Sequence, residues 1–390
     1  MKGKLVLYEV RVSSLIAVRN FCFVNKGLVY MKKSLIGTTA LVAAGMLATA
    51  GTAVAADPIK LSTGGYFRAA IAYVSEDDTS VTNRRNHAIA YDSELVFRGA
   101  TTLDNGMEFG VKMEIGTEGN AFGPDEVMMY VENEESWGRI EMGDEDGAAD
   151  QFRHWAPLVI GSAITGCSTF SAATFTNGQA AFTCGGASGD NTKITYRGPK
   201  LLGMQWGISY TPEVASVNSL SGDRDDSTAG DFGGIVELGA NWSGTMGDAS
   251  IRAGGGWHNM PAEAAGEQDA QQWNLGATIS MGGYNIGGMW KSSEAGPPAN
   301  QDRKVTNYRL GITTSMSGMT VGLEYTVSKG EQASGQDDET SAVSIAANRA
   351  LGPGVSVGAM IRSWDMSDDA SVAASENSAT ELLIITALSF

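Results

Sequence analysis

The sequence predicts an all-β protein, a 16-stranded antiparallel transmembrane β-barrel, and three observations carry that reading. Apolar and polar residues alternate with period two in short runs, and the connections between runs alternate between short and long. Beyond residue 60 no uninterrupted apolar stretch reaches the roughly 18 residues that a membrane helix requires. Composition agrees with an ordered chain, since 390 residues include 50 Gly but only 9 Pro, with 43% apolar and 18% charged residues. The glycines follow no G-X-Y period and are interleaved with large apolar residues, which argues against collagen and against low-complexity disorder. A formal net charge of -17 would repel phosphates, so nucleic acid is not an expected partner.

Residues 1–30 lack a coherent period and read as an over-extended start. Met31 opens a secretory signal peptide over 31–55. Lys32 and Lys33 give its positive end, Leu35 to Leu47 its apolar core, and Ala53-Val54-Ala55 the small-x-small cleavage pattern. The alternative, a membrane anchor, fails because the apolar run is too short. Removing the leader removes Cys22 and leaves Cys167 and Cys184 in an oxidising compartment. There the natural pairing is one intramolecular disulfide, Cys167–Cys184, worth roughly 3 kcal/mol on the chain-entropy model, with two free thiols as the alternative.

The barrel proper spans 56–390. In its first run, 60–74, Leu61, Phe67, Ala69, Ile71 and Tyr73 share one face while Ser62, Tyr66, Arg68 and Ala70 share the other. The same alternation gives runs at 86–101, 107–117, 126–133, 139–145, 191–198, 204–211 and 232–243. It continues at 249–257, 270–281, 284–292, 304–316, 319–329, 338–350, 355–365 and 377–390. Short turns such as 103–106, Trp137-Gly138, Gly282-Gly283 and Ser317-Gly318 occupy every second link, and longer polar loops such as 75–85, 212–231 and 366–376 lie between them. Tight turns on one side and long loops on the other characterise a barrel that crosses a bilayer. With about sixteen strands the lumen is too wide for side chains to fill, so the apolar set faces lipid and the polar set faces water. Trp257, Trp273 and Trp290 near long-loop ends, and Trp206, Trp242 and Tyr284 near short-turn ends, suggest two aromatic girdles.

One link breaks the pattern. Residues 146–190 are far longer than any other connection and carry Trp155, Phe170, Phe175, Phe182 and both mature cysteines, a composition that suggests packing inside the barrel.

The leader, the Ile59 to Val74 opening with Gly65-Tyr66-Phe67-Arg68, the Gly143-Asp144-Glu145-Asp146-Gly147-Ala148 stretch and the terminal Phe390 together resemble the general (non-specific) porins of Gram-negative bacteria, particularly the alphaproteobacterial type. The resemblance covers 57–390, although the Pro-Glu-Phe-Gly-Gly loop signature of enterobacterial members is absent. It implies a homotrimer of channels in the outer membrane, a multi-pass protein through which small hydrophilic solutes and ions diffuse passively. It also implies a third loop folded into the lumen, with acidic groups opposing basic groups on the wall. By position the acidic candidates are Asp144, Glu145, Asp146 and Asp150. The basic candidates are Arg68, Arg98, Lys112 and Arg197, with Arg362 a further one. Their competing role is a wall salt bridge with Glu94, Glu108 or Glu114 that sets register. Phe390 would be the signal read by the outer-membrane insertion machinery.

Carboxylates dense in 76–78, 223–226 and 337–339 point to mild cation selectivity, and such clusters could also hold Ca²⁺; no cofactor is expected. Competing functions are a substrate-selective channel on the same scaffold, an outer-membrane hydrolase, and an adhesin. The hydrolase reading lacks a nucleophile and base, because His87, His154 and His258 are too scattered for a catalytic set or a metal site.

Overall fold

The computed structural model describes residues 58–77, 84–116, 123–160, 173, 188–214, 231–264, 266–294, 302–332, 337–368 and 376–390. The leader over 31–55, Cys167, Cys184, Phe170, Phe175, Phe182 and the acidic stretch 223–226 lie outside those residues.

Sixteen strands follow in order: β1 (Lys60–Glu76), β2 (His87–Thr102), β3 (Glu108–Gly116), β4 (Gly123–Asn133), β5 (Gly138–Asp144), β6 (Thr192–Arg197), β7 (Met204–Glu213) and β8 (Gly233–Met246). Then come β9 (Ala249–Met260), β10 (Ala270–Met281), β11 (Tyr284–Glu294), β12 (Asp302–Met316), β13 (Met319–Gln332), β14 (Asp337–Gly352), β15 (Val355–Asp368) and β16 (Asn377–Ser389). Each pairs antiparallel with its neighbours in sequence, and β1 pairs with β16, so the sheet closes and no edge is left unsatisfied. Phe390 completes the seam: Gly65 N–H donates to its carbonyl at 2.9 Å and its own N–H donates to the Gly65 carbonyl at 3.1 Å. All sixteen expected runs form strands. β4 begins three residues earlier than its alternation indicates, at Gly123, because the register slips between Met113 and Ile115 on its partner β3, and a bulge hides the period.

The short turns are two-residue hairpins where left-handed backbone is needed. Gly282 and Gly283 take φ of 60° and 84°, the conformation that matches strand twist.

Strand parity separates two faces. Ile71 is 56% exposed whereas Ala70 beside it is 3% exposed, and Leu323 at 46% stands next to Glu324 at 8%. The exposed face carries Phe67, Phe97, Phe109, Leu238, Leu275 and Ile345, a surface that only hydrocarbon or another apolar partner would match. Trp206, Trp242 and Trp273 lie on it too. The inner face differs from expectation in one sector. On β14, β15, β16 and β1 it includes an apolar patch beside its polar groups, with Ala70, Ala72, Ala346, Met360, Leu383 and Ile385 forming a buried cluster around Ile160. The physical reason is that Val159 and Ile160, in the chain after β5, pack on this patch and keep water from it.

Candidate pore constriction

After β5 the chain runs through Glu145–Gly147 into one helical turn, α1 (Ala148–Gln151), and on through Phe152 to Ile160. No side chain of the turn itself caps α1, so its first N–H groups need partners from the wall. Ser209 Oγ accepts from Ala148 N at 2.7 Å and Glu237 Oε2 from Ala149 N at 3.3 Å. Ser188 Oγ, on the returning arm of the loop, donates to Glu237 Oε1. Lys193 Nζ performs the complementary task, donating to the carbonyl of Glu145 on the outgoing arm and to those of Gly189 and Asn191, each at 2.7 Å, on the returning arm. One carboxylate and one ammonium, both buried, thus pin the two ends of the loop together against the wall. Charges in such places require this density of hydrogen bonds.

Ala173, farther along the loop, is held in the same way. Ala173 N donates to Glu381 Oε1 at 2.7 Å, while Glu381 Oε2 accepts from Arg362 Nε at 2.9 Å, Arg362 Nη2 at 2.8 Å and Trp364 Nε1 at 2.7 Å. Between these clamps His154 Nε2 pairs with Thr278 Oγ1 at 2.8 Å and Asn274 Nδ2 donates to the Ala149 carbonyl at 3.2 Å. Ser209, Glu237, Asn274, Thr278 and Glu381 are all buried and of opposite parity to the exposed apolar face.

Lys112 is where loop and wall charges meet. Its Nζ lies 3.0 Å from Glu145 on the loop and 3.3 Å from Glu114 on its own strand, and it donates to Glu126 on β4. Among the acidic candidates, Glu145 meets a basic candidate, Lys112. Asp144 shares the parity of Ile140 and Met142, and accepts from Thr192 Oγ1 at 2.6 Å on the other side of the sheet. Asp150 pairs with Arg153 within the loop. Asp146 is half-buried beside Asp150 and Asp190.

Of the remaining basic candidates, Arg68 sits 3.9 Å from Asp92 and over the Tyr66 ring, Arg98 sits 3.9 Å from Glu114, and Arg197 sits 3.2 Å from Glu141. Wall salt bridges therefore occupy most of them, Glu114 serving two. Glu108 instead accepts from Tyr130 Oη at 2.7 Å. Burial, followed by the charge of Glu126, pushes the Glu145 carboxyl up to about 7 against the opposing pull of Lys112. Burial and the nearby Asp150 and Asp190 push Asp146 up to about 7 as well.

Several participants were not singled out from the sequence. Arg139 bridges Glu141 at 2.7 Å and Glu132 at 3.4 Å beneath the Tyr130 ring, and Arg309 pairs with Glu324 at 3.4 Å while both it and Arg153 approach the Trp155 ring. Parity places Arg139, Lys193, Glu237 and Arg309 on the inner face. Only the register of sixteen strands says which of them meets the loop. The carboxylates of Glu94, Glu114 and Asp125 approach one another within 4.8 Å, on strands rather than in the acidic loops.

The Gram-negative porin family model matches residues 37–369. No curated protein sequence matches the chain. Among solved structures, the anion-selective porin of Comamonas acidovorans is similar at TM-score 0.58 and 17% identity, covering 85% of this chain and 100% of its own. The outer-membrane protein OmpT of Vibrio cholerae, in trimer form, is similar at TM-score 0.59 and 13% identity, over 86% of this chain and 100% of its own. OmpF of Salmonella typhi, in complex with daunomycin, gives 0.57 and 14% over 87% and 100%.

Proposed function

We infer the function from one premise: this chain belongs to the Gram-negative porin family, and is a multi-pass channel protein of the outer membrane. In our reading it is a general porin of the alphaproteobacterial type, through which small hydrophilic solutes and ions diffuse passively. The observation that carries this is a closed barrel whose inner wall is charged and whose outer wall is apolar, with a long loop clamped to the inner face. Charged side chains facing lipid at the midplane would cost roughly 2–4 kcal/mol each, so an inner wall this charged is explained by water beside it.

The loop would narrow that water path, with Glu145 and Lys112 at its edge. Selectivity would be mildly cationic. Supporting this, the inner face of β2 to β4 carries Asp92, Glu94, Glu108, Glu114, Glu126 and Glu132 against Arg98 and Lys112. The Comamonas relative is described as anion-selective, but at 17% identity its likeness concerns the fold. The functional unit would be a homotrimer, and Phe390 would serve insertion.

Reconstitution in planar bilayers tests the reading. Stepwise conductance, with reversal potentials in a KCl gradient that favour potassium, is expected. Anion preference would overturn the selectivity, and block by one solute at low concentration would favour a substrate-selective channel.

A further inference from the structure

We propose that a groove of glycines on the inner wall sets the width of the water path, by letting the third loop sink into the barrel wall. The inference rests on the channel reading above and assigns its pore-size-determining residues.

Loop residues Ala148 to Pro157 pass from strand to strand, and between the polar residues that hold them a glycine lies beneath them on β8, β9, β10 and β12. A methyl group at Gly239 on β8 would fall on the Ala148 carbonyl, and one at Gly256 on β9 on the Ala149 backbone. At Gly276 on β10 it would strike the His154 carbonyl, and at Gly311 on β12 the Pro157 carbonyl. Each of these approaches is closer than 3.0 Å, nearer than side-chain carbons come. The glycines are also paired in register, Gly239 opposite Gly256, Gly254 opposite Gly276 and Gly287 opposite Gly311, so they form a stepped groove in the wall that moves by one inner position along β9 and from β10 to β11.

A strand interior has no conformational need for so many glycines, which weaken it. Close approach of another backbone is the reason that remains. Because the loop lies in the groove, the sector it covers is dry while the opposite wall is wet. The side chain of Arg309 on β12 is 0% exposed, whereas that of Arg98 on β2 is 57% exposed. A side chain in the groove would lift the loop by about 1 Å or more, to ordinary contact distance, toward β1–β6.

The test is a series of full-length variants, Gly276→Ala, Gly276→Val, Gly311→Ala and Gly311→Val, with Gly352→Ala as control because a methyl there meets nothing within 4 Å. Heat-modifiability on gels scores assembly, planar bilayers give single-channel conductance, and liposome swelling compares sugars of increasing size. Expected are assembled barrels with a conductance loss that deepens from Ala to Val, swelling rates that fall most for the largest sugars, and an unchanged Gly352→Ala. Assembled groove variants with wild-type conductance and sugar cut-off would overturn the proposal. So would loss of assembly in the two alanine variants, which would make the groove a folding requirement of the barrel instead. A wild-type protein that conducts nothing would refute the channel reading itself.

Discussion

Removing the Lys112 charge should raise the preference for cations, and removing the Glu145 charge should lower it by the same factor. Lys112 Nζ and the Glu145 carboxylate are 3.0 Å apart and each is largely buried at the edge of the inner wall, so both lie at a similar distance from a passing ion. For a distance of about 6 Å and a water-like dielectric, one unit charge contributes about 0.7 kcal/mol, reduced to about 0.4 kcal/mol by screening at 0.1 M salt. That is about twofold for each ion. Since cations and anions respond oppositely, the permeability ratio moves by about fourfold. Reversal potentials in a KCl gradient measure it directly. The measurement belongs at pH 8, where Glu145, held at about 7, is ionised. Lys112→Met should raise the cation-to-anion ratio about fourfold, Glu145→Gln should lower it about fourfold, and the double variant should return near the wild type because the two charges cancel. Assembled single variants with unchanged ratios, or both moving in one direction, would refute the assignment of this pair to the water path.

Three further outcomes are expected. Glu381→Ala leaves Arg362 in a buried site without its carboxylate and releases Ala173, a loss of about 3–5 kcal/mol; the unfolding temperature read by gel mobility should fall, and an unchanged temperature would contradict the clamp. Cation preference should decline as pH falls from 8 to 5, because Glu145 and Asp146, each at about 7, take up protons in that window. Both carboxyls lie above their unfolded values, so the folded loop binds more protons. Their contribution to loop docking is full below about 4 and is lost as pH rises through about 7. A flat pH profile, or one that persists in the Glu145→Gln/Asp146→Asn double variant, would argue against this. Deleting Phe390 removes both hydrogen bonds to Gly65 at the seam and should lower the yield of assembled oligomer in outer-membrane fractions.

The strands were legible because period-two alternation survives wherever one face meets hydrocarbon and the other meets water. The inward placement of Arg68, Arg98 and Lys112 followed from parity alone. Parity also set Leu382 and Ile384 on the outer face, but the expectation of a polar inner face missed the sector where both faces are apolar. Leu382 to Ile385 is a continuous apolar run in which Leu383 and Ile385 point inward against the loop, and nothing in the run itself marks that. Asp144 was misplaced for a related reason: it is the last residue of β5, where the strand's parity still governs, and so it turns away from the loop acids that follow it. The path of the loop was hidden more deeply. Gly239, Gly256, Gly276 and Gly311 were visible as glycines on the polar face, but their purpose depends on a backbone more than fifty residues away in sequence.

The orientation of the sheet is tested most directly by two adjacent residues of β2. Phe97 lies on the exposed apolar face and Arg98 on the inner face, at the same height in the wall. In the reconstituted protein, a water-soluble charged thiol reagent should modify Arg98→Cys and alter the single-channel current, and should leave Phe97→Cys unmodified because lipid covers it. Modification of Phe97→Cys with Arg98→Cys protected would place water outside and hydrocarbon inside, and would contradict the function proposed for this barrel.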